Sequence, residues 1–119
     1  MKCSELQIGD WVLNDGEYIQ VTDIYKYGKR YYINDDDTYV RYVEPIPLTV
    51  EILERNGFSE DYRYENLSYI QSCGAVTGIH INGKNGLMDE MYFKYVNELQ
   101  NALRLCGLNE LADNFKVEE

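Results

Sequence analysis

The amino-acid sequence predicts an α+β fold in which a small β-rich part comes first and helices end the chain. Three observations predict it. Short segments of alternating apolar and polar residues, separated by turn sequences, occupy residues 6–44. A proline-bounded helical segment follows at 45–57, and the alternation returns after it. Apolar residues then recur at helical spacing between 95 and 106, which indicates a C-terminal amphipathic helix.

The N-terminal part is predicted to be a meander because turn sequences recur in it. Asn14-Asp15-Gly16 is a hairpin signal, since Asp-Gly readily takes positive φ, and further turns are expected at 27–30 and 34–37. The predicted strands are Trp11–Leu13, Tyr18–Ile24, Tyr31–Ile33 and Tyr39–Val43. Several short strands favour closure into a barrel, which leaves no open edge. Because the opening Ile8–Val12 is similar to the first strand of SH3-like barrels, we expect a small SH3-like β-barrel.

The second half is predicted to mix helices and strands. The prolines of 44–48 end the meander because proline lacks the N–H that a sheet ladder needs, and Thr49 can then cap a helix over 50–57. Further elements are predicted as strands at 61–71, 74–82 and 87–93, a helix from Lys94 to Cys106, and a short last helix capped by Asn109. We divide the chain into a barrel-like subdomain at 1–48 and an α+β subdomain at 49–119, packed as one compact unit.

The stretch YVNELQNALRLCGL, residues 95–108, has the outline of the H-E-x-x-H helix of zinc proteases. Asn97 and Asn101 stand where the two histidines belong, and Glu98 stands where the general base belongs. Zinc binds amide oxygen poorly and His80 is the single histidine of the chain, so a metalloprotease is excluded. The apolar stripe of this helix consists of Val96, Leu99, Leu103 and Cys106. It predicts a helix that packs on a sheet, with the asparagines on a separate polar face at the surface.

Three segments of the sequence are distinctive: LQIGDWV at 6–12, PIPLTVEILERNGF at 45–58 and YVNELQNALRLCG at 95–107. In this order they resemble a family of small, uncharacterised proteins encoded by phages and mobile elements of Bacteroides and related bacteria. Members often carry histidine where this chain has Asn97. The family has no assigned activity, so the resemblance implies a genomic setting and not a reaction.

The composition indicates an acidic protein of a reducing compartment. Acidic residues outnumber basic ones by 21 to 11, and a net charge of −10 opposes binding to a phosphate backbone. Cys3, Cys73 and Cys106 are odd in number and lack C-x-x-C spacing, which favours reduced thiols. Since no signal sequence or membrane-spanning stretch is evident, we expect a cytoplasmic protein.

No catalytic or metal-binding constellation is predicted. Asp35–Asp37 lacks the spacing and the closing glutamate of a calcium loop. Asp89 and Glu90 are neighbouring carboxylates and His80 is a candidate general base, but nothing in the sequence places them in one cleft. We therefore expect a non-enzymatic protein that needs no cofactor or metal.

Two function classes follow from these observations. The first is an accessory protein that acts by protein–protein binding on a basic partner, one version being an acidic inhibitor of a host nucleic-acid-handling complex. Tyrosine, present twelve times, suits such contacts because it offers a large area at low entropy cost. The predicted partner-binding residues are Asp35, Asp36, Asp37, Tyr39 and Tyr42.

The alternative is a nucleic-acid-binding accessory module that uses the small barrel. Tyrosine rings would stack on the bases of a single strand, and basic side chains would contact its phosphates. The predicted stacking residues are Tyr31, Tyr32, Tyr39 and Tyr42, and the predicted phosphate contacts are Lys26, Lys29, Arg30 and Arg41.

Overall fold

A computed structural model describes residues 1–34, 38–60 and 66–118, and the predicted α+β class is confirmed there. The strands are β1 (Trp11–Asn14), β2 (Glu17–Gln20), β3 (Ile24–Tyr27), β4 (Arg30–Ile33), β5 (Thr38–Tyr39), β6 (Glu44–Pro45), β7 (Ser59–Glu60), β8 (Leu67–Ser72), β9 (Ala75–Asn82) and β10 (Leu87–Met91). The α-helices are α1 (Val50–Arg55), α2 (Val96–Leu105) and α3 (Asn109–Asp113). Short 3-10 turns lie at Cys3–Glu5 and Val40–Tyr42.

The N-terminal strands form two separate antiparallel sheets, in the orders β2-β1-β6 and β3-β4-β5. Between the two sheets, the Val21 backbone continues the β1–β2 pairing, and the Asn34 side chain binds backbone groups at the end of β2 and after it. The Val21 N–H donates to the Asp10 carbonyl (2.8 Å). The Asn34 side chain accepts from the Thr22 N–H (2.8 Å) and donates to the Gln20 carbonyl (3.1 Å). The described strands are therefore not closed into a barrel, and the expected SH3-like barrel is not confirmed.

The remaining strands form one sheet in the order β10-β9-β8-β7, with β7 parallel to β8 and the other pairs antiparallel. Thr49 caps α1 as predicted, because its hydroxyl accepts from the Ile52 N–H at 3.2 Å. Asn109, predicted as a cap, is the first residue of α3, and Leu108 precedes it in the capping position. The first half of the strand predicted at 61–71 lies outside the described residues.

Buried apolar side chains form two clusters. One lies in the N-terminal part and contains Leu6, Val12, Val21, Ile33, Val40 and Val43. The larger one lies between the three helices and the sheet β10-β9-β8-β7, and includes Ile46, Leu53, Phe58, Tyr69, Ile79, Ile81 and Phe115. The division of the chain near residue 48 stays a prediction, since Trp11 and Leu13 of the first part also pack against the larger cluster.

Helix α2 is buried on more than its apolar stripe. Leu99 and Leu103 have no exposed surface, but Gln100 has none either, and Asn97 is only 4% exposed. The predicted amphipathic character of this helix is therefore not confirmed, and the placement of Asn97 at the surface was wrong. Glu98 lies at the start of the helix and accepts from the Tyr95 N–H at 2.9 Å, which satisfies one of the unpaired donors there.

Candidate functional site

A row of tyrosines crosses the sheet β3-β4-β5. Tyr25 lies directly opposite Tyr32, and Tyr32 opposite Tyr39, so the three side chains share one face. The ring centroids of Tyr25 and Tyr32 are 5.7 Å apart and stacked, and those of Tyr32 and Tyr39 are 5.6 Å apart. Tyr42 continues the row with its ring edge-on to Tyr39 at 5.1 Å. We call these four residues the tyrosine face.

The tyrosine face points outward because the opposite face of the same sheet is apolar. Ile24 and Ile33 pair on that inner face, and Ile33 is fully buried in the N-terminal cluster. Since successive residues of a strand alternate between faces, their tyrosine neighbours must face away from the cluster. Tyr25, Tyr32 and Tyr39 are half-buried, and Tyr42, in the 3-10 turn after the sheet, is 72% exposed.

Cations lie over tyrosine rings at this sheet. The guanidinium carbon of Arg30 is 5.1 Å from the centroid of Tyr39, and the Lys26 ammonium is 5.7 Å from that of Tyr31. Both distances are within the range at which a cation is attracted to a ring face. The two pairs hold positive charge against aromatic surface.

Beside the tyrosine face lies an open cleft of about 560 Å³, which we call the basic cleft. Six of its lining residues are Lys2, Lys29, Arg30, Tyr31, Tyr39 and Arg41. The first residues of the chain form one wall. They are held there because the Met1 nitrogen donates to the carbonyls of Val40 (3.3 Å) and Val43 (2.9 Å). Among the described residues that line the cleft there is no carboxylate.

The structure places near one another tyrosines and basic residues that the nucleic-acid hypothesis had grouped. Tyr39 and Tyr42 were predicted to contact a protein partner in one hypothesis and to stack on bases in the other, where Arg30 and Arg41 were predicted to contact phosphate. Tyr39, Arg30 and Arg41 line one cleft, and Tyr42 touches the ring of Tyr39. Lys29 and Tyr31 also line it, and Tyr32 belongs to the tyrosine face next to it. Lys26 reaches Tyr31, whereas Asp35, Asp36 and Asp37 lie outside the described residues.

A second polar cluster, which sequence reasoning missed, joins α2 to the residues before β1. The Gln100 amide donates to the carbonyls of Gly9 (2.8 Å) and Ala112 (2.9 Å), and its oxygen accepts from the Trp11 N–H (2.9 Å). Arg104 donates to the Asp10 carboxylate at 2.7 Å and lies 3.4 Å from that of Asp113. We call Asp10, Gln100 and Arg104 the polar junction.

The polar junction is built for structure and not for ligand access. Asp10 has no exposed surface, and this burial raises the pKa of its carboxyl above the usual value, while Arg104 acts in the opposite direction. Asn97 lies nearby and contributes one long contact, since its amide nitrogen is 3.4 Å from the Glu5 carbonyl and its oxygen has no partner. The position that resembled a zinc ligand is therefore a buried amide between two parts of the fold.

His80, Asp89 and Ser68 come together on three adjacent strands. Ser68 lies directly opposite His80, and the His80 Nδ1 is 3.0 Å from Asp89 Oδ1. The arrangement follows the order of a serine hydrolase triad, but Ser68 is only 3% exposed. The space beside these residues is about 10 Å³, which holds about one water molecule and no substrate. We assign no catalytic role to this row.

Two further observations concern the other chemistry considered from the sequence. In the part of the chain that the structure describes, no three side chains of histidine, cysteine, aspartate or glutamate lie close enough to hold a metal ion. Burial raises the pKa of the Cys106 thiol, which disfavours the reactive thiolate. Within the same residues, no helix has both the length and the apolar character that crossing a membrane requires.

Comparison with known proteins gives no match: neither a protein-family model, nor a curated protein, nor a solved structure is similar to this chain.

Proposed function

We propose that this protein is a non-enzymatic, cytoplasmic accessory protein of a phage or mobile element, and that it acts by protein–protein contact through the tyrosine face. The observation that carries the proposal is the continuous row of ring contacts from Tyr25 to Tyr42 on the outer face of a sheet. The genomic setting is what the resemblance of three sequence segments implies. No step of the proposal needs a cofactor.

The chemistry of the tyrosine face favours protein recognition. Tyrosine and arginine are enriched among the residues that dominate binding energy at protein interfaces. Here the rings of Tyr32, Tyr39 and Tyr42 already support one another, and Arg30 lies over Tyr39. Less side-chain freedom is then lost on binding, which is the main cost of ordering an interface.

One version of the proposal is an inhibitor of a host complex that handles nucleic acid. The net charge of −10 supports it, because an acidic surface can occupy a site that normally receives phosphate. Asp35, Asp36 and Asp37, between β4 and β5, would belong to that contact. This version expects a basic partner.

A second candidate is a nucleic-acid-binding accessory module. The specific observation in its favour is that Lys29, Arg30 and Arg41 line the basic cleft together with Tyr31 and Tyr39. Sites for single strands combine such positive grooves with aromatic side chains. The net charge of the whole chain acts against it, because non-specific affinity for nucleic acid comes from cations that displace counterions.

Affinity capture from a host lysate tests the proposal, with and without nuclease. The bait is the full chain, and its variant is Tyr39→Ala/Tyr42→Ala. A matched control is Tyr92→Ala, which removes an exposed tyrosine (63%) outside the tyrosine face. We expect one host protein to bind the wild type and the control, to resist nuclease, and to be lost with the double variant.

Two results would contradict it. Capture that disappears after nuclease treatment favours the nucleic-acid module. Capture that the double variant retains in full shows that the contact lies elsewhere on the protein.

A further inference from the structure

We infer that the basic cleft binds an acidic segment of the protein partner, so that the contact at this surface is with carboxylates and not with a basic chain. The inference rests on the proposed function and names the chemistry of the partner at that site. It rests on the positive charge of the cleft, on the lack of carboxylate partners for its cations among the described residues, and on the contacts that the tyrosine rings already make.

The basic cleft is positively charged although the protein as a whole is acidic. The protein has 11 basic and 21 acidic residues, yet four of the basic ones line this cleft. These four are Lys2, Lys29, Arg30 and Arg41. A concave surface lined by one sign of charge focuses the field and raises the local concentration of ions of the opposite sign. The cleft is a place where an anion is attracted to an acidic protein.

The cations of the cleft differ from Arg104 of the polar junction in their ion pairs. Arg104 contacts two carboxylates, those of Asp10 and Asp113. Among the described residues, Lys29, Arg30 and Arg41 have no carboxylate within ion-pair distance. Arginine binds carboxylate well because its planar fork can donate two parallel hydrogen bonds. The cleft therefore offers guanidinium groups whose preferred partner is not supplied by the described chain.

The rings at the cleft favour carboxylate over a polynucleotide. Base stacking needs an accessible ring face, and Arg30 already occupies one face of Tyr39 and Lys26 one face of Tyr31. Tyr25 and Tyr32 are stacked on each other. An acidic peptide needs no ring face, because its carboxylates can reach the guanidinium groups while the cation–ring contacts stay in place.

Size and charge density point the same way. A volume of about 560 Å³ is in the range of pockets that hold a few chemical groups, and the cleft is open at its mouth. A short acidic peptide can present several carboxylates to the four cations within this space. A polynucleotide continues beyond the cleft with one charge per nucleotide, and the protein's net charge of −10 opposes the additional phosphates.

Fluorescence anisotropy with three labelled probes tests the inference on the full chain. The probes are a short peptide of alternating glutamate and glycine, the same peptide with glutamine in place of glutamate, and oligothymidine with the same number of negative charges. We expect the glutamate peptide to bind at least about tenfold more tightly than either other probe, and its affinity to fall as salt is raised.

Variants locate the site. Arg30→Gln/Arg41→Gln should lower the affinity for the glutamate peptide by at least about tenfold, because both guanidinium groups are removed. Lys94→Gln is the matched control, since Lys94 is an exposed cation over a tyrosine ring (5.4 Å from Tyr95) outside the cleft. The control should bind as the wild type does, and a circular-dichroism melt of each variant shows that it is folded.

Three outcomes overturn the inference. Tighter binding of oligothymidine than of the glutamate peptide assigns the cleft to nucleic acid. Peptide binding that survives in Arg30→Gln/Arg41→Gln places the anion site elsewhere. Absence of peptide binding while Tyr39 and Tyr42 remain necessary for nuclease-resistant capture sinks the acidic-segment inference and leaves the proposed function standing.

Discussion

The polar junction and the basic cleft use the same kind of side chain in opposite ways. In the junction, Arg104 is 14% exposed at its side chain and contacts the fully buried Asp10. In the cleft, Arg30 and Arg41 are exposed and have no carboxylate partner among the described residues. Arg30 lies over the ring of Tyr39 instead.

The difference shows how a charged side chain that stabilises the fold can be distinguished from one that is available to bind a partner. Taking charges out of water is costly, so a buried arginine must find its carboxylate within the fold. An exposed arginine is under no such requirement, because water solvates it until a partner arrives. Internal pairing therefore indicates a role in stability, and convergence of unpaired cations on a concave surface indicates a role in binding.

The largest expected effect concerns the junction. Arg104→Met leaves the Asp10 carboxylate buried without its ion-pair partner, so we expect it to lower the free energy of unfolding by about 3–5 kcal/mol. Urea denaturation measures this loss. The double variant Asp10→Asn/Arg104→Met should cost less than the sum of the two single variants, because the charge is no longer stranded. Additive costs would show that the two side chains act independently.

The same pair gives a prediction about pH. Burial raises the pKa of Asp10 above its usual 3.8, and removal of Arg104 takes away a contact that lowers it. A carboxyl whose pKa is raised on folding loses stability as pH rises through the folded-state pKa, since the folded protein holds its proton more tightly. The destabilisation by Arg104→Met should therefore be greatest near neutral pH and shrink in acid. A cost that grows on acidification would contradict this assignment.

Next in size is the apolar stripe of α2. Leu103→Ala removes methyl groups from a fully buried position and should cost about 2–5 kcal/mol. Leu105→Ala is the matched control on the same helix, because Leu105 is 72% exposed, and it should change stability by about 0.5 kcal/mol at most. Thermal denaturation of the two variants compares them directly. Equal losses would mean that the buried face of the helix is misassigned.

A smaller effect separates the two buried amides of α2. Gln100→Met keeps the shape but strands the Trp11 N–H, so we expect a loss of about 1–3 kcal/mol. Asn97→Leu removes a single long contact and an oxygen that already lacks a partner, so its cost should stay below about 1 kcal/mol. Chemical denaturation of both variants measures the two costs. A larger loss for Asn97→Leu than for Gln100→Met would mean that Asn97, and not Gln100, stabilises the polar junction.

Features that depend on neighbours in the chain could be predicted from the sequence. Asp15 and Gly16 both take positive φ in the β1–β2 hairpin, Thr49 caps α1, and Gly107 ends the last turn after α2 at φ +82°. Each follows from the conformational preference of one or two residues. The same reasoning located the tyrosines and the basic cluster between 25 and 42.

Features that depend on distant partners could not be predicted. Gln100 meets Gly9 and Trp11 across 91 and 89 residues, and no local pattern shows that these polar groups satisfy one another. Asn34 accepts from the Thr22 N–H and donates to the Gln20 carbonyl across 12 and 14 residues, and hydrophobic periodicity does not predict such side-chain contacts. The convergence of Arg41 with Lys29 depends on the path of the chain after β5.

The smallest expected effect on stability concerns the basic cleft. A small effect there, together with weaker binding, would separate a binding role from a structural one. Arg41→Gln removes an exposed side chain that has no carboxylate partner among the described residues, so the free energy of unfolding should change by about 0.5 kcal/mol at most. Arg30→Gln loses only a cation–ring contact, worth about 0.5–1 kcal/mol at an exposed site. Both should nevertheless weaken binding of the glutamate peptide. Urea denaturation and anisotropy on the same preparations decide the point: a large loss of stability with unchanged binding would make the cleft a second structural junction.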